Sequence, residues 1–225
     1  MVSVMGKPYA NRRQAAERLS ENLAGYRARR PVILGIPRGG VVIADTIARE
    51  FDTDLDIVLT RKLGAPDNPE LAIGAVSEGG RVYLQHDIAD KVGADEGYIE
   101  REKERQLAEI RARRERYRSV LPKAPLHERT VILVDDGVAT GATMQASIWA
   151  ARGEGPGEII VAVPVGAQEA IARLEHEADS VICPYVPAYF YAIGQFFEDF
   201  GQVDDREVLE ILQAHTQRRS SVVSE

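Results

Sequence analysis

Between Asp135 and Thr143 the chain gathers groups suited to an anionic sugar. Two adjacent carboxylates, Asp135 and Asp136, are followed by Gly137, Val138, Ala139, Thr140, Gly141, Ala142 and Thr143. Neighbouring carboxylates could serve a hard cation, sugar hydroxyls or a developing positive charge. Gly137 and Gly141 let the backbone turn tightly beside a bulky anion, and Thr140 and Thr143 add hydroxyl donors. A helix starting directly afterwards would present free N–H groups and a positive dipole end to a phosphate. An acid pair for the sugar and an amide cradle for its phosphate together suit a sugar phosphate. Taken singly, Asp-Asp-Gly could merely turn the chain and Thr-Gly-Ala-Thr merely cap a helix. Their combination within nine positions, directly after an apolar run, favours binding.

Two further segments carry chemistry for the same kind of ligand. Gly35-Ile36-Pro37-Arg38-Gly39-Gly40 is not a GxGxxG fingerprint, because Pro37 interrupts it, nor a Walker A loop, because Val41 stands where lysine belongs. That failure argues against a dinucleotide-binding oxidoreductase. Paired glycines beside Arg38, ahead of a helix, still form an anion-binding nest; the plainer alternative is that Arg38 pairs with a surface acid. Arg61 and Lys62, read as the carboxyl end of the second apolar run, could neutralise a pyrophosphate leaving group. The Gly/Pro-punctuated stretch after them could close over the site and exclude water, or could be an ordinary connection bearing surface cations. Half of the aromatic residues fall between Tyr185 and Phe200, as an accessory core or as a stacking surface for a flat heterocycle. The four histidines lie outside these segments, and Cys183 reads as buried packing.

These groups need a frame. Short apolar runs at 32–36, 55–60, 131–134, 159–165 and 180–183 show no alternation, which is the pattern of strands buried on both faces. Helical stretches at 41–51, 144–152 and 168–177 separate them, and strand–helix alternation implies a parallel sheet covered by helices. Asn11 is a candidate N-cap for an opening helix through Ala15, Leu19, Leu23 and Tyr26, with Gly25 as its stop. Runs at 72–77 and 81–85 around Gly79-Gly80 predict a β-hairpin. Residues 98–119 predict a long helix with a local excess of positive charge. It is either a solvated helix laced with pairs such as Glu109 with Arg113 or a nucleic-acid or partner surface.

Composition bounds the rest. The 225 residues, 44% hydrophobic and 28% charged, can bury a core without staples. A single cysteine excludes an internal disulfide and a cysteine-rich zinc module. No run of about 18 apolar residues exists to cross a bilayer, and the first residues lack the apolar segment of a secretory signal, so the expectation is a cytoplasmic protein. The net charge of −7 argues against bulk capture of nucleic acid.

Residues 131–143 resemble the phosphoribosyl-pyrophosphate (PRPP) motif of the type I phosphoribosyltransferases. The Pro37–Gly40, Arg61–Pro66 and Asp135–Thr143 segments together resemble a bacterial group of stand-alone phosphoribosyltransferases, over roughly residues 9–212. The resemblance implies an α/β fold, with a mainly parallel twisted sheet flanked by helices, a β-hairpin flap and a C-terminal hood. In these terms a core spans 1–183, including the flap at 61–85 and the helix at 98–119. A hood and helix occupy 184–215, and a frayed tail 216–225. The resemblance implies that Asp135 and Asp136 face the ribose hydroxyls and that Gly137 through Thr143 wrap the 5′-phosphate. It further implies that Arg38, Gly39, Gly40, Arg61 and Lys62 receive the pyrophosphate. Asp135, Asp136, Arg61 and Lys62 are the expected catalytic groups. Mg²⁺ is the implied cofactor, held mainly by PRPP with Asp135 and Asp136 as protein contributors. The stretch 190–194 with Asp199-Phe200 loosely resembles the base-contacting hood of purine enzymes, with a spacing one residue longer, and Tyr189, Phe190 and Tyr191 are the residues it implies for acceptor contact. Hypoxanthine-type relatives carry an acidic base where this chain has Ala139, which argues against a 6-oxopurine reaction using that base. The expected activity is transfer of ribose 5-phosphate from PRPP to a nitrogenous acceptor, and a homodimer is compatible with it. The other reading is a PRPP- or nucleotide-binding regulator, with RNA bound along the charged helix.

Overall fold

A computed structural model of the chain describes residues 7–223. Helix α1 (Arg12–Asn22) begins where the Asn11 side chain accepts the Gln14 N–H at 3.0 Å, which satisfies one of the donors left open in a first turn. Strand β1 (Val32–Gly35), helix α2 (Gly39–Phe51) and strand β2 (Asp54–Ile57) form the first β-α-β unit. Strand β3 (Thr60–Ala65), strand β4 (Asn68–Ser77), strand β5 (Val82–Leu84), helix α3 (His86–Lys91) and helix α4 (Glu96–Arg118) follow. Alternation then resumes through β6 (Thr130–Val134), α5 (Ala142–Arg152), β7 (Glu158–Ala162), α6 (Gln168–Leu174) and β8 (Ser180–Ile182), and α7 (Asp205–Val223) closes the order.

The five expected core runs form one parallel sheet in the order β2-β1-β6-β7-β8. Their side chains alternate between two buried layers. Ile33, Ile132 and Ile160 pack with residues of α1, α2 and α7, while Val32, Val131 and Ile159 pack with residues of α5 and α6. Burial on both faces explains why these strands read as continuous apolar runs. Strand order reverses beside β1, so β1 and β6 flank the switch point where open α/β sheets bind ligands. Their ends are level: Gly35 stands opposite Val134, and Ile36 N–H donates to Val134 O at 2.9 Å.

The flap is a second sheet, order β3-β4-β5, and it includes the expected hairpin. The run expected over 55–60 divides, because β2 ends at Ile57 and Thr60 opens β3. Arg61 and Lys62 therefore lie inside an antiparallel strand, opposite Val76 and Ala75, and not at the end of the second parallel strand. Long-range pairing with β4 supplies the backbone partners that a loop would lack. Tyr83 of β5 stacks on Trp149 of α5 with ring centroids 5.3 Å apart, seating the flap on the core. The tail expected to fray from Thr216 continues α7, with Thr216 Oγ1 donating to Val120 O at 2.9 Å and Arg219 paired with Asp54.

Candidate active site

Two loops leave the level ends of β1 and β6 in contact. A Cβ placed on Gly39 would fall on the Asp136 carboxylate, and one on Gly40 would lie 2.5 Å from Val134 O and 2.9 Å from Asp135 Cα. Glycine is required here by close approach, since both residues are helical members of α2. The Pro37–Arg38 peptide that precedes them is cis.

The two carboxylates differ in their surroundings. Asp135 Oδ1 accepts the Asp136 N–H at 2.9 Å. Asp136 Oδ2 accepts from Arg12 Nε at 2.7 Å, and both of those side chains are 12% exposed. Arg12 is fixed on two further sides: its Nη1 donates to Gly201 O at 2.7 Å, and its guanidinium lies 3.8 Å over the Phe200 ring. Burial raises both carboxyls above their ordinary range. Asp135 is raised the further, with the charge of Asp136 beside it as the second cause, while the Arg12 guanidinium opposes the shift at Asp136.

Beyond the acid pair the backbone is stitched to its neighbour. Val138 N–H donates to Val165 O at 2.9 Å, and Ala167 N–H donates to Val138 O at 2.8 Å. A Cβ on Gly137 would meet Ile193 Cγ2 at 2.7 Å. Gly141 takes φ +79° at the N-cap of α5, a conformation that favours glycine. Arg173 holds the turn through Thr140 O at 2.8 Å. Ala139, Thr140 and Thr143 stay exposed, and the first N–H groups of α5 open toward them.

A cleft of about 340 Å³ runs from this loop to the flap. Ile36, Pro37, Arg61, Lys62, Thr140 and Thr143 line it, together with Arg113 from α4. The described lining residues include no carboxylate, so the cleft suits a polyanion. A larger hollow beside α3 carries Asp90, Asp95, Glu96 and Glu100, which repel one. Another beneath α7, at the opposite end of the sheet, is walled by Leu55, Leu121, Pro122 and Pro125 with His215 and Arg219.

The structure thus brings Arg61 and Lys62 to Thr140 and Thr143, and sets Gly39 and Gly40 against Asp135 and Asp136. The aromatic cluster divides. Phe196 and Phe197 are buried, Phe190 packs on Phe196 at 5.2 Å, and Phe200 covers Arg12. Tyr189 and Tyr191 are 76% and 87% exposed. Sequence reasoning missed Arg12 and Arg113. Arg12 immediately follows a helix cap, where the pattern marks only a boundary, and Arg113 is hidden in a helix rich in cations.

The fold and this site define a doubly wound α/β protein with a cationic cleft beside its switch point. The phosphoribosyl transferase domain model matches residues 9–196, and the chain belongs to that family. Its solved relatives include TT1426 from Thermus thermophilus, 48% identical, with 92% of this chain and 98% of that one covered and a TM-score of 0.88. Two curated Mycobacterium tuberculosis proteins, from strains CDC 1551 and H37Rv, are each named "Putative phosphoribosyl transferase". Each is 39% identical over 206 residues, covering 92% of this chain and 46% of theirs. The chain therefore spans about half the length of the curated relatives it matches. Among the described residues no helix is long and apolar enough to cross a membrane.

Proposed function

We propose that the protein transfers the 5-phosphoribosyl group of PRPP to a nitrogen acceptor and releases pyrophosphate. The bond from C1′ to the pyrophosphate oxygen breaks, the C1′–N bond forms, and the acceptor nitrogen gives up a proton. The carrying observation is the meeting of the Gly39-Gly40 turn with Asp135 and Asp136 beside a cationic cleft that ends at Thr140 and Thr143. In this reading the α5 N-terminus holds the 5′-phosphate. The acid pair binds the ribose hydroxyls and favours an oxocarbenium-like transition state. Arg38, Arg61 and Lys62 take the charge of the leaving group, and the hood residues Tyr189, Phe190 and Tyr191 meet the acceptor, a nucleobase.

Asp135, whose carboxyl accepts the Asp136 N–H, offers the hard oxygen chemistry that Mg²⁺ prefers. The ion would bind chiefly through PRPP oxygens, with Asp135 and Asp136 as the protein groups, and would neutralise leaving-group charge. Positioning and electrostatics supply the rest, without a covalent intermediate.

The test is pyrophosphate release from Mg-PRPP across purines, pyrimidines and other nitrogen acceptors. Release with one acceptor class supports the transferase. Tight PRPP binding with no release across the panel would instead favour a regulator.

A further inference from the structure

Helix α4 is the charged stretch for which a solvated surface is the plainer reading. One row of it faces the protein: Ile99, Glu102, Gln106, Ile110, Arg113 and Tyr117, at helical spacing of three and four. Ile110 and Tyr117 are buried, and the buried Glu102 is answered by Arg105 and Gln106. Arg113 occupies the place between Ile110 and Tyr117, and it lines the same cleft as Arg61, Lys62, Thr140 and Thr143.

Its expected helical partner has turned elsewhere. Glu109, one turn earlier, reaches Arg61 Nη2 at 3.4 Å, and among the described residues no carboxylate pairs with Arg113. The helix around it is held at several points. Tyr98 Oη donates to Gly64 O at 2.8 Å, Tyr117 Oη donates to Asp205 Oδ1 at 2.7 Å, and Arg118 bonds Glu78 and Asp56. Arg113 adds a further positive charge to the wall that already carries Arg61 and Lys62; like charges repel, and a ligand carrying several negative charges relieves that repulsion. A guanidinium fork suits phosphate oxygens better than a point charge does.

We propose that Arg113 is a binding residue for the diphosphate part of the ligand, which makes α4 one wall of the active site. This rests on the phosphoribosyl transfer reading, and inorganic pyrophosphate separates the two claims. Calorimetric titration at fixed ionic strength should show Arg113→Gln binding pyrophosphate at least tenfold more weakly than the wild type. Ribose 5-phosphate, whose phosphate sits at the α5 N-terminus, should bind within twofold. Arg113→Lys should recover part of the loss. Arg111→Gln removes the same charge from an exposed position on the same helix and should leave both affinities within twofold.

Pyrophosphate binding by Arg113→Gln within twofold of wild type overturns the proposal, as does an equal loss in Arg111→Gln. If Arg113→Gln does not fold, Arg113→Lys decides: unchanged pyrophosphate affinity there counts against the fork contact. A wild-type protein that binds no pyrophosphate overturns the subsite altogether. Wild-type binding that depends on Arg113, without turnover of PRPP on any acceptor, leaves Arg113 in place and removes the transferase reading.

Discussion

Arg12 donates from Nε to Asp136 Oδ2 at 2.7 Å across 124 positions of sequence, and the Phe200 ring covers its guanidinium. The first helix, the acid pair and the hood are thereby joined at one ion pair. Its partners are well shielded from water, so it is screened less than a surface pair.

Asp136→Asn keeps the shape of the side chain and removes its charge, leaving Arg12 unanswered. Mg-PRPP binding or turnover should fall by at least about tenfold, equivalent to roughly 1.4 kcal/mol. Calorimetry and a pyrophosphate-release assay are the measurements. Near wild-type behaviour in both would remove Asp136 from the ribose contact.

Gly39→Ala places a methyl on the Asp136 carboxylate and 3.2 Å from Arg12 Nε. The loops must separate to admit it, so PRPP affinity should drop at least about tenfold, with overpacking costing about 1–3 kcal/mol in stability. Gly79→Ala is the control, because a Cβ there meets nothing within 4 Å. Equal effects at the two positions would show that the close approach is unimportant.

Arg118 binds Asp56, which is 1% exposed, and Glu78 at the edge of the flap. Arg118→Met leaves Asp56 without its counter-charge and should cost about 3–5 kcal/mol, the usual penalty for breaking a buried pair from one side. Urea unfolding measures the loss. Hydrogen exchange should also rise across β3 and β4, and an unchanged exchange pattern would mean that Arg118 does not anchor the flap.

His215 governs an acid-sensitive contact. Its Nε2 accepts the Leu55 N–H at 3.2 Å, capping an outward donor of the edge strand β2. Burial and the charges of Arg218 and Arg219 lower its pKa from 6.5 to about 4. The unfolded chain therefore binds the proton first as pH falls, so the contribution is complete above pH 6.5 and is lost progressively down to about pH 4. The loss is at most about 3 kcal/mol. His215→Gln keeps an acceptor for Leu55 and should flatten this part of the stability–pH curve. An unaltered slope in chemical denaturation from pH 7 to 4 would exclude His215 as its source.

Much of the frame is local, and local patterns are legible. Residues 32–36, 131–134 and 159–165 announce buried parallel strands because both of their faces must be apolar, whereas the run at 180–183 supplies the half-buried edge strand β8. Asn11 announces a helix because a cap acts on donors three residues away. Asp135 through Thr143 announce a strand-to-helix turn crowded with polar groups, because all of them lie between the end of β6 and the first turn of α5.

The remainder depends on contacts that no spacing encodes. Arg61 and Lys62 read as the end of a strand until pairing with Val76 and Ala75 puts them inside another. Arg113 reads as one cation among eight on α4 until packing of Ile110 and Tyr117 turns that face toward the cleft. Arg12 reads as the residue after a cap until folding brings Asp136 and Phe200 to it. Sequence by itself determined the layered α/β frame and which polar groups stand at its switch point. Tertiary structure alone decided which cations reach those groups, since a long side chain is aimed by the packing of its whole element and not by its neighbours in the chain.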